Sequence, residues 1–177
     1  MELLNKIMRI LVLILVFCMV LYSCTPSEDK ELSRAKQTME QIEASIDGRD
    51  ADSLLKLFSF NTSSAIAQLD LEEVFLTFPD GITVIETEYD DSLTVTDWVE
   101  NDTYVKNIDW SRRITDNRTG EVYVINVLQC TENWTDESDL GIIRIILYPL
   151  SEYEAFVNWW NTFEPEDRPT GIILFVG

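Results

Sequence analysis

The chemistry open to this sequence is limited first by a residue type it lacks. Its 177 residues include no histidine, which removes Ser-His-Asp and Cys-His catalysis, imidazole metal ligation and a histidine pH switch. No P-loop, GxSxG or HExxH motif occurs. Arg144 is the sharpest single residue, because it stands among Ile142, Ile143, Ile145 and Ile146. A guanidinium in that setting must be satisfied, since an unpaired buried charge is strongly unfavourable. Three outcomes are open: an anion or carboxylate clamp in a cavity, a structural pair with an acid, or an edge position whose side chain reaches water. The tryptophans Trp98, Trp110, Trp134, Trp159 and Trp160 offer flat faces suited to stacking on sugar rings. Trp110 and Trp159 fall at core positions of their periodicities. Trp160, next to Trp159 on a helix, must face elsewhere, towards a rim or an interface.

Charge narrows the partners. Thirteen basic residues stand against 32 acidic ones, for a formal net charge of −19. Phosphate contacts by Lys and Arg supply most nucleic-acid affinity, so no nucleic-acid partner is expected. The acidic loop around Asp136, Glu137 and Asp139 lacks the ligand spacing of a calcium loop, so no metal and no cofactor are expected. Cys130 lies in an apolar strand and reads as a small buried side chain.

The elements that would position these residues follow from periodicity. Leu32, Ala35, Met39, Ile42 and Ile46 form a helical stripe, with Gly48 as its stop. Asp50 or Asp52 can cap a second short helix reaching Phe58, and a third helical stretch runs to Phe78 before the turn Pro79-Asp80-Gly81. Strands are then expected over 82–89, 93–99, 103–114, 121–132, 140–148 and 171–176. In the third, Tyr104, Lys106, Ile108 and Trp110 alternate against Val105, Asn107 and Asp109. The segment 116–120 is a hairpin turn, the near-continuous apolar run 140–148 suggests burial on both faces, and Ser151 can cap a late helix. Helices followed by an antiparallel sheet make the class α+β.

The N-terminus carries a different kind of signal. Lys6 and Arg9 precede an unbroken apolar run from Ile10 to Tyr22. As a helix that run spans only about 20 Å, short of a hydrocarbon core of roughly 30 Å, which suits a signal sequence. It ends in Leu21-Tyr22-Ser23-Cys24, which resembles the bacterial lipobox. The resemblance implies cleavage after Ser23 and a diacylglyceryl thioether on Cys24, whose two acyl chains give stable anchoring. Residues 1–23 are then a lipoprotein signal peptide, 24–30 a lipidated tether and 31–177 a single α+β domain. The expected location is the extracytoplasmic face of the cell membrane. Cleavage removes Lys6, Arg9 and Glu2, leaving the mature chain slightly more negative.

A wider resemblance rests on the lipobox, the segment Asp50 to Ser59, the hairpin Asp116 to Gly120, and the strand Leu140 to Ile145. Together they are similar to a family of small Gram-positive bacterial lipoproteins carrying a domain of unknown function. Its fold is cone-shaped, nuclear-transport-factor-2-like or cystatin-like, with N-terminal helices packed on a strongly curved antiparallel sheet. That resemblance implies a cone lined by Asp109, Trp110, Tyr123 and Arg144. Asp109 and Tyr123 would be the catalytic candidates, and Trp110 and Arg144 the ligand-binding ones. The favoured function is a membrane-anchored module binding a small ligand or an envelope protein. The alternatives are an acid–base enzyme of isomerase or dehydratase type, or a structural accessory protein that dimerises through its sheet. Metabolic labelling tests the anchor: the native chain should take up palmitate, and Cys24→Ala should remain unprocessed. Normal processing of that variant would refute the lipobox.

Overall fold

A computed structural model describes residues 27–64, 66, 68–85, 93–100, 103–162 and 171–175. Cys24 and the signal segment lie outside the described residues, as do the side chains of Trp159 and Trp160. Four helices, α1 (Ser27–Asp47), α2 (Ala51–Leu55), α3 (Phe60–Ser63) and α4 (Gln68–Thr77), precede strands β1 (Ile82–Val84), β2 (Thr94–Glu100), β3 (Thr103–Asp116), β4 (Val122–Asn133) and β5 (Gly141–Pro149). Helix α5 (Tyr153–Thr162) and strand β6 (Ile172–Phe175) follow. The strands form one antiparallel sheet in the order β1-β3-β4-β5-β6, with β2 pairing further along the same edge of β3 as β1. The protein is α+β. Among the described residues no helix is long and apolar enough to cross a membrane.

The helical stripe buries the face its spacing predicts, with Ala35, Met39, Ile42 and Ile46 all inaccessible. The first turn differs from expectation. Leu32 is only half-buried, and Glu31 takes the fully buried place four residues before Ala35. A carboxylate can stand there because Lys106 Nζ, from β3, donates to its Oε1 at 2.7 Å, and Arg34 Nη1 reaches Oε2 at 3.2 Å. The helix stops at Gly48 as expected, after Asp47, but the capping conformation differs. Asp50 N donates to Ser45 O, and it is Arg49, at φ 50°, that adopts the left-handed conformation expected of Gly48. Arg49 offsets that strain by donating to Phe75 O and lying over the Phe75 ring, which ties the end of α1 to α4. Gly81 at φ 81° is required where the chain enters β1, since a Cβ there would collide with the Asp47 carboxylate that caps Ile82 N.

Two cores share the sheet. Its inner face presents Ile108, Trp110 and Ile114 of β3, Ile125 and Val127 of β4, and alternate residues of β5 to α1–α4. The outer face buries Val124, Ile146 and Tyr148 beneath Phe156 of α5, whose ring stacks on Tyr148 at 4.3 Å. Burial pushes the Tyr148 phenol up to about 12. Strand β5 is thus buried on both faces, as its apolar run predicts. Helix α5 is not capped by Ser151. A 3-10 turn over Leu150–Glu152 leads into it from Pro149, whose ring sets the turn without a side-chain cap.

Two register shifts interrupt the strand pairing. In β4, Thr131 is passed over between the pairs Asn107–Cys130 and Lys106–Glu132. In β5, Ile143 is the extra residue between Gln129–Ile142 and Leu128–Arg144.

The Glu31–Lys106 pair generates a stability prediction. Lys106→Met should destabilise by about 3 kcal/mol in urea unfolding, because Glu31 would keep only Arg34, while adding Glu31→Leu should recover most of the loss. The bond to Glu31 raises the Lys106 pKa above its ordinary 10.5. Its contribution is therefore whole below pH 10.5 and disappears as pH climbs through the folded-state value. Lys106→Met should flatten that alkaline slope; an unchanged slope would place its origin elsewhere.

Candidate functional site

Alternation along β3 separates the sequence-predicted residues. Trp110 faces inward, is wholly buried in the main core, and its indole N–H finds no acceptor among the described residues. Tyr123 is also on the inner face, edge-on to Phe78 at 5.0 Å, with its hydroxyl donating to Glu121 at 3.2 Å. Burial raises its pKa, and the Glu121 charge adds to that. Asp109 and Arg144 face outward. The expected common lining is corrected accordingly: neighbouring strand residues point to opposite faces, so Asp109 cannot join Trp110 or Tyr123.

Asp109 and Arg144 do meet. Arg144 Nη2 lies 3.4 Å from Asp109 Oδ2 and donates to Asn126 Oδ1 at 3.1 Å. Asn126 is the hub, because its Nδ2 also donates to Asp109 Oδ1 at 2.6 Å and to Ser111 Oγ at 3.1 Å. Both Asp109 oxygens are thereby engaged. Burial draws the Arg144 pKa down from its ordinary value, and the Asp109 charge opposes that. Of the three outcomes open for Arg144, the structural pair is realised. The Ile143 bulge makes this geometry. In a regular strand Arg144, two residues after Ile142, would share its inner face; the bulge at Ile143 turns Arg144 outward onto Asp109.

Further along the same face lies a cavity of about 300 Å³. Its floor is the β3–β4–β5 surface at Val105, Asn107, Cys130 and Ile143, and Trp98 of β2 stands at one side. The opposite wall comes from α3, carried there by an unusual contact. Phe58 forms a parallel bridge with Ile142, through Ile142 N to Leu57 O and Ser59 N to Ile142 O. Gly141, at φ 123°, permits that approach, since a Cβ would sit 2.7 Å from Ser59 N. Ser59 then caps α3 by accepting from Thr62 N.

Asp139 fixes the polar rim. Its Oδ1 accepts from Asn61 Nδ2 at 2.6 Å and its Oδ2 from Asn133 Nδ2 at 3.1 Å. Asn61 gives a second hydrogen to Ser138, so its carbonyl is left to face other partners. Asn133 is consumed locally, its Oδ1 accepting from Thr135 and Asp136. Asn107 is different: its Oδ1 is buried with no hydrogen-bond partner among the described residues. An orphaned acceptor of this kind costs about 1–3 kcal/mol unless something donates to it. Cys130 is 2 % exposed, its thiol raised by burial and directed at Glu132 O. Among the described residues no group of three or more Cys, Asp or Glu could hold a metal ion.

Sequence reasoning missed Asn126, Asn61, Asn107 and the lining role of Trp98. One signal was available, namely asparagines at outward positions of long strands, where that residue is disfavoured. No protein-family model matches the chain, and no curated protein matches it.

The hub yields a ranking. Asn126→Ala should cost about 1–3 kcal/mol in urea unfolding, because it leaves Asp109 and Arg144 partly unsatisfied. Arg144→Met should cost about 1 kcal/mol or less, since Asp109 remains 40 % exposed. The reverse order would show that the ion pair, not the amide, holds the cluster.

Proposed function

We propose that this chain is a lipid-anchored, extracytoplasmic binding module, and that the outer-face cavity is its small-ligand site. The observation that carries the reading is the cavity itself, about 300 Å³ and at the lower end of the range for small-ligand pockets. It combines an apolar floor with a few fixed polar groups, the usual composition of such sites. Among its described lining residues no nucleophile–base pair is formed. Asp109, the carboxylate proposed for acid–base work, has both oxygens engaged by Asn126 and Arg144, which weighs against the isomerase or dehydratase alternative.

The anchor on Cys24 belongs to the same proposal and rests on the lipobox. With a net charge of −19, the domain gains nothing from anionic headgroups, so attachment would fall to the lipid. The cone-shaped, nuclear-transport-factor-2-like or cystatin-like form and kinship with the Gram-positive lipoprotein family are also proposed. Helices preceding and covering one face of a long, bulged antiparallel sheet support them. Dimerisation through the sheet has less support, because α5 covers part of the outer face.

Ligand-observed NMR on the full-length chain, against a library of small polar compounds, tests the site. Compounds should bind and lose their signals in Trp98→Ala. A library without a single hit would remove the small-ligand reading in favour of a protein partner.

A further inference from the structure

Resting on that reading, we infer that the outer-face cavity takes a neutral sugar unit of a glycan. A pyranose ring is amphipathic in a particular way, with C–H groups on its faces and hydroxyls around its edge. The cavity is divided in the same way. Val105 and Ile143 floor it and Trp98, 40 % exposed, offers an aromatic wall, so ring faces have apolar partners. Asn61, Asn107 and Asp139 line the same space and provide the edge contacts.

The polar groups are also prepared for hydroxyls. Asp139 and Ser138 each take an Asn61 amide hydrogen, which leaves the Asn61 side-chain carbonyl to accept. Asn107 lines the cavity, and its Oδ1, buried with no donor among the described residues, would gain one from a hydroxyl once the amide turns to meet it. A flat apolar ligand would leave that oxygen orphaned.

Charge sets neutrality. Among the described residues no Lys or Arg lines the cavity, and a protein of net charge −19 does not favour phosphate or carboxylate groups there. A cationic ligand would find one carboxylate among the described lining residues, Asp139, whose two oxygens already accept from Asn61 and Asn133. A hydroxylated neutral ring needs no counter-ion and brings donors for the Asn61 and Asn107 side-chain carbonyls.

The test uses the full-length chain in a detergent without a sugar headgroup, with cellotetraose and chitotetraose as probes. Saturation-transfer NMR and calorimetry should detect at least one of them. Trp98→Ala and Asn107→Ala should each weaken it by about tenfold or more, as expected for one lost contact. Trp134→Ala should leave it unchanged, because Trp134 packs on Tyr104 and is not part of the cavity. Asn107→Ala keeps the test decisive if Trp98→Ala fails to fold. Absence of binding by both sugars, or binding that survives both cavity variants, overturns the inference. In that event, hits from the polar library that vanish in Trp98→Ala leave the binding-module reading standing, and their absence removes it as well.

Discussion

A carboxylate with no access to solvent joins the first helix to the longest strand. Glu31 on α1 and Lys106 on β3 are 75 residues apart in sequence and 2.7 Å apart in space. Strand β3 is the one to which β1, β2 and β4 all pair, so its register against α1 sets where most of the sheet lies. A buried ion pair adds little net stability compared with apolar residues, but a mispaired one is severely unfavourable. An alternative packing of α1 would leave Glu31 buried without Lys106. The pair therefore selects one arrangement more than it strengthens it.

That arrangement lets the sheet do two jobs. Its inner face is filled by close-packed Ile, Phe and Trp side chains, including the whole of Trp110. Its outer face is divided between an apolar patch under α5, the Asp109–Asn126–Arg144 cluster, and the amide-rimmed cavity. The same β3 and β4 strands that anchor the core on one side thus carry the side chains of the cavity floor on the other. A side chain on a paired central strand moves less than one on a loop, which favours a preformed site.

Much of the architecture was legible locally. The α1 stripe, the alternation of β3 and the two-sided burial of β5 all follow from periods of 3.6 and 2, which depend only on neighbouring residues. Even the ion pair left a trace, since Glu31 extends the stripe back from Ala35 and Lys106 extends the inner row back from Ile108. The trace was not readable as a contact, because Leu32 offered a more obvious apolar start. The grouping of Asp109 with Trp110 and Tyr123 failed on the same local rule that should have forbidden it. Gly48 looked like the helix stop, yet Arg49 took the left-handed place because Phe75 held its side chain.

The sequence by itself determined the element order, the α+β class and which residues share a face in regularly paired stretches of strand, because these are decided within a few bonds. The tertiary structure alone decided what those faces meet. Asn61 reaches Asp139 across 78 residues, and the Phe58–Ile142 bridge that brings it there has no periodic signature. A single extra residue, Ile143, turns Arg144 outward to Asp109. Its position was invisible in a run of isoleucines, because a bulge exists only relative to the partner strand.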